Sequence, residues 1–129
     1  MIILDTSALI ALQRGNIEIR EKLSAVQRTH PGQVAIAAPT VWEYLVGILS
    51  VRSKIEGDIL QDLRHYRILH TTETSCIQFA RLKLSLKGQG KMVPEMDILI
   101  AAIALTAECP VVTRDAHFTN IKELTVITI

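Results

Sequence analysis

Met1-Ile2-Ile3-Leu4-Asp5-Thr6-Ser7-Ala8-Leu9-Ile10-Ala11-Leu12-Gln13-Arg14-Gly15 is the stretch that decides how this chain folds. Its first four residues are apolar and read as a short buried strand. Residues 7–13 are compatible with a helix that stops at Gly15. Between strand and helix stands an acid, Asp5. An ionised carboxylate among apolar residues is costly unless a cation or hydrogen bonds compensate it. The same combination recurs three times. Glu43 lies inside Val41-Trp42-Glu43-Tyr44-Leu45-Val46, and Asp97 interrupts Met96 and Ile98-Leu99-Ile100-Ala101-Ala102. Asp115 follows Val111-Val112-Thr113. Four acids in such company point to one cation compensating them together, in an oxygen-only metal site that the fold assembles.

Working outward, the strand–helix alternation continues. Residues 17–28 carry Ile19, Leu23 and Val26 at helical spacing, and His30-Pro31-Gly32 breaks that helix. Residues 34–38 read as a second strand, and Pro39-Thr40 opens an apolar helix to about Val51. Residues 57–67 form an amphipathic helix, 67–71 a short strand, and 73–87 a helix ended by Gly88 and Gly90. Pro94 suits the first position of a helix over 95–107 that is apolar nearly all round and therefore central. Residues 111–113 and 125–128 close the chain as strands. Short apolar strands alternating with helices imply an α/β fold, a mostly parallel sheet flanked by helices on both faces. In such sheets ligands sit outside the carboxyl ends of the strands. Asp5 and Asp115 both follow such an end, and Asp97 lies in a first helical turn, where the dipole favours negative charge.

At 129 residues the chain is one domain, residues 1–129, long enough for a real core. A hydrophobic content of 49% with 21% charged residues fits a folded protein and excludes a disordered one. The net charge of +1 announces neither nucleic acid nor membrane binding, so any basic surface is local. No apolar run reaches the ~18 residues of a membrane span. Cys76 and Cys109 have no metal-ligand spacing. With no signal-like opening segment, a reduced cytoplasm is the expected setting.

Each acid also has an ordinary role open to it. Asp5 fits a helix cap. Thr40-Val41-Trp42-Glu43 matches a capping box, in which the Glu reaches back to the first amide. Asp97 fits a cap, and Asp115 a turn. The coincidence of all four with strand ends and buried helix starts favours joint chemistry, namely metal-assisted phosphoryl transfer. Magnesium prefers hard oxygen ligands, and one or two ions activate water and hold a phosphate. No Gly-x-Ser-x-Gly elbow, phosphate-cradling loop or His-rich motif offers another route. An aspartyl-nucleophile phosphatase would place a second Asp two residues after the first, where Ser7 stands.

Four blocks carry a resemblance to a known family. They are Leu4-Asp5-Thr6-Ser7-Ala8-Leu9-Ile10, then Pro39-Thr40-Val41-Trp42-Glu43-Tyr44-Leu45-Val46-Gly47. Asp97-Ile98-Leu99-Ile100-Ala101-Ala102 and Thr113-Arg114-Asp115-Ala116-His117-Phe118 complete the set. In this order and spacing the chain resembles PIN-domain ribonucleases, specifically the VapC toxins of toxin–antitoxin pairs. The resemblance implies a single PIN-like domain and a magnesium- or manganese-dependent endonuclease acting on RNA. It implies Asp5, Glu43, Asp97 and Asp115 as the catalytic, metal-holding quartet. Thr6 and Thr113 fall beside the acids as accessory residues. His117 stands where some members carry another acid, and tuning the site or simple packing both fit it.

Lys83, Lys87 and Lys91 recur every four residues, with no acid from 74 to 94. They read either as a solvated helix face or as a phosphate-contacting strip toward Asp97. Arg14 and Arg114, close in sequence to Asp5 and Asp115, are further RNA-binding candidates. The 40–51 helix offers Trp42, Tyr44, Leu45, Ile48 and Leu49 to the core or to a second copy. The resemblance favours a homodimer and a VapB-like antitoxin covering the acidic site. Two alternatives remain open at this level: a housekeeping PIN nuclease without antitoxin, and a non-catalytic PIN-like module binding RNA or protein.

Overall fold

The computed structural model describes residues 1–51 and 56–129. Five strands form one sheet in the order β3-β2-β1-β4-β5, and every pairing is parallel. They are β1 (Ile2–Leu4), β2 (Val34–Ala37), β3 (Arg67–Leu69), β4 (Val111–Thr113) and β5 (Val126–Thr128). The helices are α1 (Thr6–Gln13), α2 (Ile17–Thr29), α3 (Ala38–Val51), α4 (Glu56–Leu63), α5 (Glu73–Gly88) and α6 (Glu95–Thr106).

Parallel neighbours need crossovers, and right-handed crossovers fix the side on which each helix lies. The steps β1→β2→β3 move one way across the sheet and carry α1 to α4. The step β3→β4 moves back past β1 and carries α5 and α6 to the other face. The two cores record this. Ile2, Leu4, Ile36 and Val112 pack with Leu9, Leu23, Tyr44, Ile59 and Leu63. Ile3, Ala35, Ala37 and Val111 pack with Leu82, Leu86, Ile100, Ala101 and Phe118. Alternate residues of each strand serve opposite faces, as the pleat requires. Small residues Ala101, Ala102 and Ala104, all buried, let α6 lie close against the sheet. Direction reverses between β1 and β4, so a crevice opens at their carboxyl ends.

The expected elements are present, with shifted bounds. α3 begins at Ala38, directly from β2, rather than at Pro39-Thr40. Thr40 is therefore inside the helix and fully buried, and its hydroxyl has no hydrogen-bond partner among the described residues. The capping box expected of Thr40 and Glu43 does not form. Pro94 caps α6 instead of opening it. The helix expected over 57–67 ends at Leu63. A short 3-10 helix, Ala116–Asn120, follows β4 where no element was expected. Among the described residues no helix is long and apolar enough to cross a membrane.

Candidate active site

Asp5 leaves β1 at the crevice, buried, with its N–H bonded to the Val112 carbonyl of β4 at 3.1 Å. Its carboxylate does cap α1, accepting the Ala8 N–H at 2.9 Å. It also accepts the Ser7 hydroxyl at 2.8–2.9 Å and the Thr113 hydroxyl at 2.7 Å. Burial pushes its pKa up, and these donors pull partly against that. Thr113 in turn accepts the Asp115 N–H at 2.8 Å, and Ser7 accepts the Arg114 N–H at 3.0 Å. Asp5 thus ties the ends of β1 and β4 together. Its capping and its place in the acidic group are one arrangement.

Glu43 stands half-buried on the second turn of α3. The Thr6 hydroxyl donates to its Oε1 at 2.6 Å. Asp97 sits in the first turn of α6, behind a cap with no side-chain bond of its own. Its pKa is pushed up to about 6, first by burial and then by the charges of Asp115, Glu43 and Asp5. Those three acids therefore reach Asp97 electrostatically, though they come from three other segments of the chain. Asp115 caps the 3-10 helix, accepting the His117 N–H at 2.9 Å. His117 Nδ1 lies 2.9 Å from Asp115 Oδ1 and 3.9 Å from Asp97 Oδ2. Donor atoms of Asp97, Asp115 and His117 all fall within 4.8 Å of one another. Two carboxylates and an imidazole at that spacing are a donor set that fits a divalent cation.

The PIN domain model matches residues 2–124. The chain belongs to the PIN-domain family. Ribonuclease VapC5 of Mycobacterium tuberculosis is 31% identical over 120 residues, covering 90% of this chain and 84% of that protein. Ribonuclease VapC1 of Rickettsia felis is 31% identical over 134 residues, covering 99% and 96%. Among solved structures, VapBC-5 from Mycobacterium tuberculosis, a member of the VapBC family of toxin–antitoxin systems, superposes with a TM-score of 0.71. It is 27% identical, with 99% of this chain and 98% of that one covered.

In this PIN domain the accessory threonines hold acids: Thr6 fixes Glu43, and Thr113 fixes Asp5. His117 is not packed away; its side chain is 50% exposed and faces the acids. Ser7 is the residue that the sequence reading missed. It bonds Asp5 and the backbone beyond β4 at once, a link between residues about a hundred positions apart. Its one sequence signal is a hydroxyl two residues after Asp5.

The basic candidates lie on separate surfaces, and neither of the two cavities they line includes one of the four acids. Arg14 is exposed and lines a cavity of about 260 Å³ between α1 and α3, with Tyr44, Gly47 and Ile48. Lys83, Lys87 and Lys91 line another of about 350 Å³, with Met92, Glu95 and Ile98. Lys83 also forms an ion pair with Glu95, so one of the three charges of that stripe is opposed. Lys91 lies beyond the end of α5, yet the turn at Gly90 folds it back into the same groove. Arg114 is exposed, with its backbone held by Ser7.

Proposed function

We propose that this chain is a divalent-metal-dependent endoribonuclease, the toxin of a type II toxin–antitoxin pair. One observation carries the reading. Donor atoms of Asp97, Asp115 and His117 lie within 4.8 Å of one another, and burial, followed by the charges of Asp115, Glu43 and Asp5, pushes Asp97 up to about 6. Such a concentration of negative charge is unfavourable unless a cation resolves it. The relatives named as VapC ribonucleases, at 31% identity, support the substrate class.

Asp97 and Asp115, in the field of Asp5 and Glu43, would hold the metal, magnesium or manganese. When bound, a divalent ion supplies charge to a phosphate and makes water a better nucleophile at neutral pH. Glu43, with Oε1 fixed by Thr6, stands beside the cluster as the acceptor for the proton of that water. Asp5 keeps Ser7 and Thr113 in place and so fixes Asp115. The hydrolysis forms one P–O bond to the water oxygen and breaks another along the RNA backbone. Lys83, Lys87, Lys91, Arg14 and Arg114 contact backbone phosphates, which gives affinity without sequence selection.

The cognate partner is a VapB-like antitoxin that covers the acids, and the working assembly is a homodimer in the cytoplasm. The superposition on VapBC-5 supports the antitoxin. The test is incubation of the pure protein with labelled total RNA, with and without magnesium or manganese. Discrete metal-dependent cleavage by the wild type and none by Asp97→Asn is the expected result. Equal cleavage by the two proteins would defeat the assignment.

A further inference from the structure

We infer that His117 is a metal ligand in its own right, and that it turns this site toward first-row transition ions and away from magnesium. The inference rests on the metal-dependent reading above and adds which ion the chain's own donors select.

The geometry supplies the argument. His117 Nδ1 stands 2.9 Å from Asp115 Oδ1 and 3.9 Å from Asp97 Oδ2, inside the group of donors that span 4.8 Å. The ring is half exposed, so it fills no core space. It is nevertheless held. Its own N–H is bonded to Asp115, and its neighbour Phe118 is fully buried and anchors the short helix. Without metal, the 2.9 Å contact is an Nδ1–H donating to Asp115 Oδ1; a bound cation would take the place of that proton, leaving the ring proton on Nε2 and the Nδ1 lone pair directed at the space that the two carboxylates share. The remaining buried acid of the site, Asp5, has its oxygens engaged by Ala8, Ser7 and Thr113. The clustered set is therefore two carboxylates and one nitrogen.

That set discriminates between ions. Magnesium takes hard oxygen ligands and dehydrates reluctantly. Imidazole in place of a third carboxylate removes one negative charge and one hard oxygen, which weakens magnesium. Nitrogen donors favour transition ions, with affinity rising from manganese through iron and cobalt. The expectation is manganese bound at least ~10-fold tighter than magnesium, and cobalt tighter than manganese. Loss of a supporting residue alone typically costs 10–100-fold in metal affinity. His117→Ala should then weaken manganese and cobalt by at least ~10-fold and leave magnesium within ~3-fold. His117→Asp should strengthen magnesium and erase the preference.

The experiment uses the full chain and metal alone, without RNA. Manganese binding is followed by the loss of the free-ion electron paramagnetic resonance signal, and magnesium by competition. Electron spin-echo modulation then reads whether a nitrogen is coupled to bound manganese. A nitrogen coupling in the wild type that disappears in His117→Ala, with the differential loss of affinity, is the predicted result. Bound manganese without nitrogen coupling, lost in Asp97→Asn but unchanged in His117→Ala, would overturn the inference and leave the acidic site standing. No manganese binding by the wild type would remove both readings together.

Discussion

At the scale of single residues, the cost of gathering charge is measurable without a substrate. The Asp97 carboxyl rises from 3.8 unfolded to about 6 folded, so protonation favours the folded state. Below pH ~4 the group is protonated in both states and costs nothing. The penalty grows as pH rises from there and saturates above about 6. Two pH units correspond to ~3 kcal/mol, which solvent around this half-buried group reduces to ~1–2. Metal-free Asp97→Asn should therefore melt higher than wild type at pH 7 and the same at pH 4. A difference that does not change with pH would mean Asp97 feels no such field. Asp5→Asn is a poorer probe, because an amide would face the Thr113 and Ser7 donors with the wrong group half the time. Glu43→Gln is cleaner. Thr6 donates equally well to a Gln carbonyl, and no capping box is lost. Folding should be unaffected and cleavage should fall by ~100-fold or more, the usual worth of a general base; wild-type turnover would return Glu43 to a purely structural role. The acids were legible in sequence because charge among apolar residues stands out. Ser7 and the orientation of His117 were not, because their partners meet only after β1 and β4 pair.

At the scale of elements, helix ends explain both what was legible and what was not. α1, α5 and α6 close in the same way. In each, the N–H of the second residue past the cap donates to the carbonyl five residues back in the helix: Asn16 to Ala11, Lys91 to Leu86, Cys109 to Ala104. The residue before it adopts the left-handed conformation. Gly15 and Gly90 do so at φ 75° and 66°, and both glycines were readable as stops. At α6 the place is taken by Glu108, φ 53°, so no glycine marked that end. A non-glycine residue there carries ~1–2 kcal/mol of steric strain. Glu108→Gly should relieve it, less the entropy a glycine adds to the unfolded chain. The net expected gain is ~0.5–1 kcal/mol by denaturant titration. Gly90→Ala is the mirror test: its new Cβ would meet nothing within 4 Å, so the ~1 kcal/mol loss expected is backbone strain alone. No gain from Glu108→Gly would show that the α6 turn carries no such strain. The 3-10 helix at Ala116–Asn120 was illegible for a different reason. Five residues carry no periodicity, and only Asp115 as its cap defines it.

At the scale of the molecule, alternation of apolar runs was enough to give a parallel sheet with two covered faces, since helices between short apolar strands supply the crossovers that parallel pairing needs. Which residues of α3 face outward was not legible, because that helix is apolar on every side. The fold sorts them: Tyr44 is buried, while Trp42, Val46 and Leu49 are 50%, 70% and 47% exposed. Their spacing of four and three puts them on one stripe. A stripe of large apolar side chains is unfavourable in water and is satisfied by a matching stripe on a second copy, across a twofold axis. The chain's net charge of +1 sets no long-range repulsion between copies. Wild type should therefore sediment as a dimer at micromolar concentration. Val46→Glu combined with Leu49→Lys places charges at the centre of the stripe, where an unpaired buried charge costs several kcal/mol. Because both residues are exposed in the single chain, the variant should fold as a monomer, with a melting temperature lower only by what dimerisation adds to the wild type. Analytical ultracentrifugation separates the outcomes. A wild type that is monomeric alone would assign the stripe to another partner, and a dimer that survives both charges would move the interface off α3.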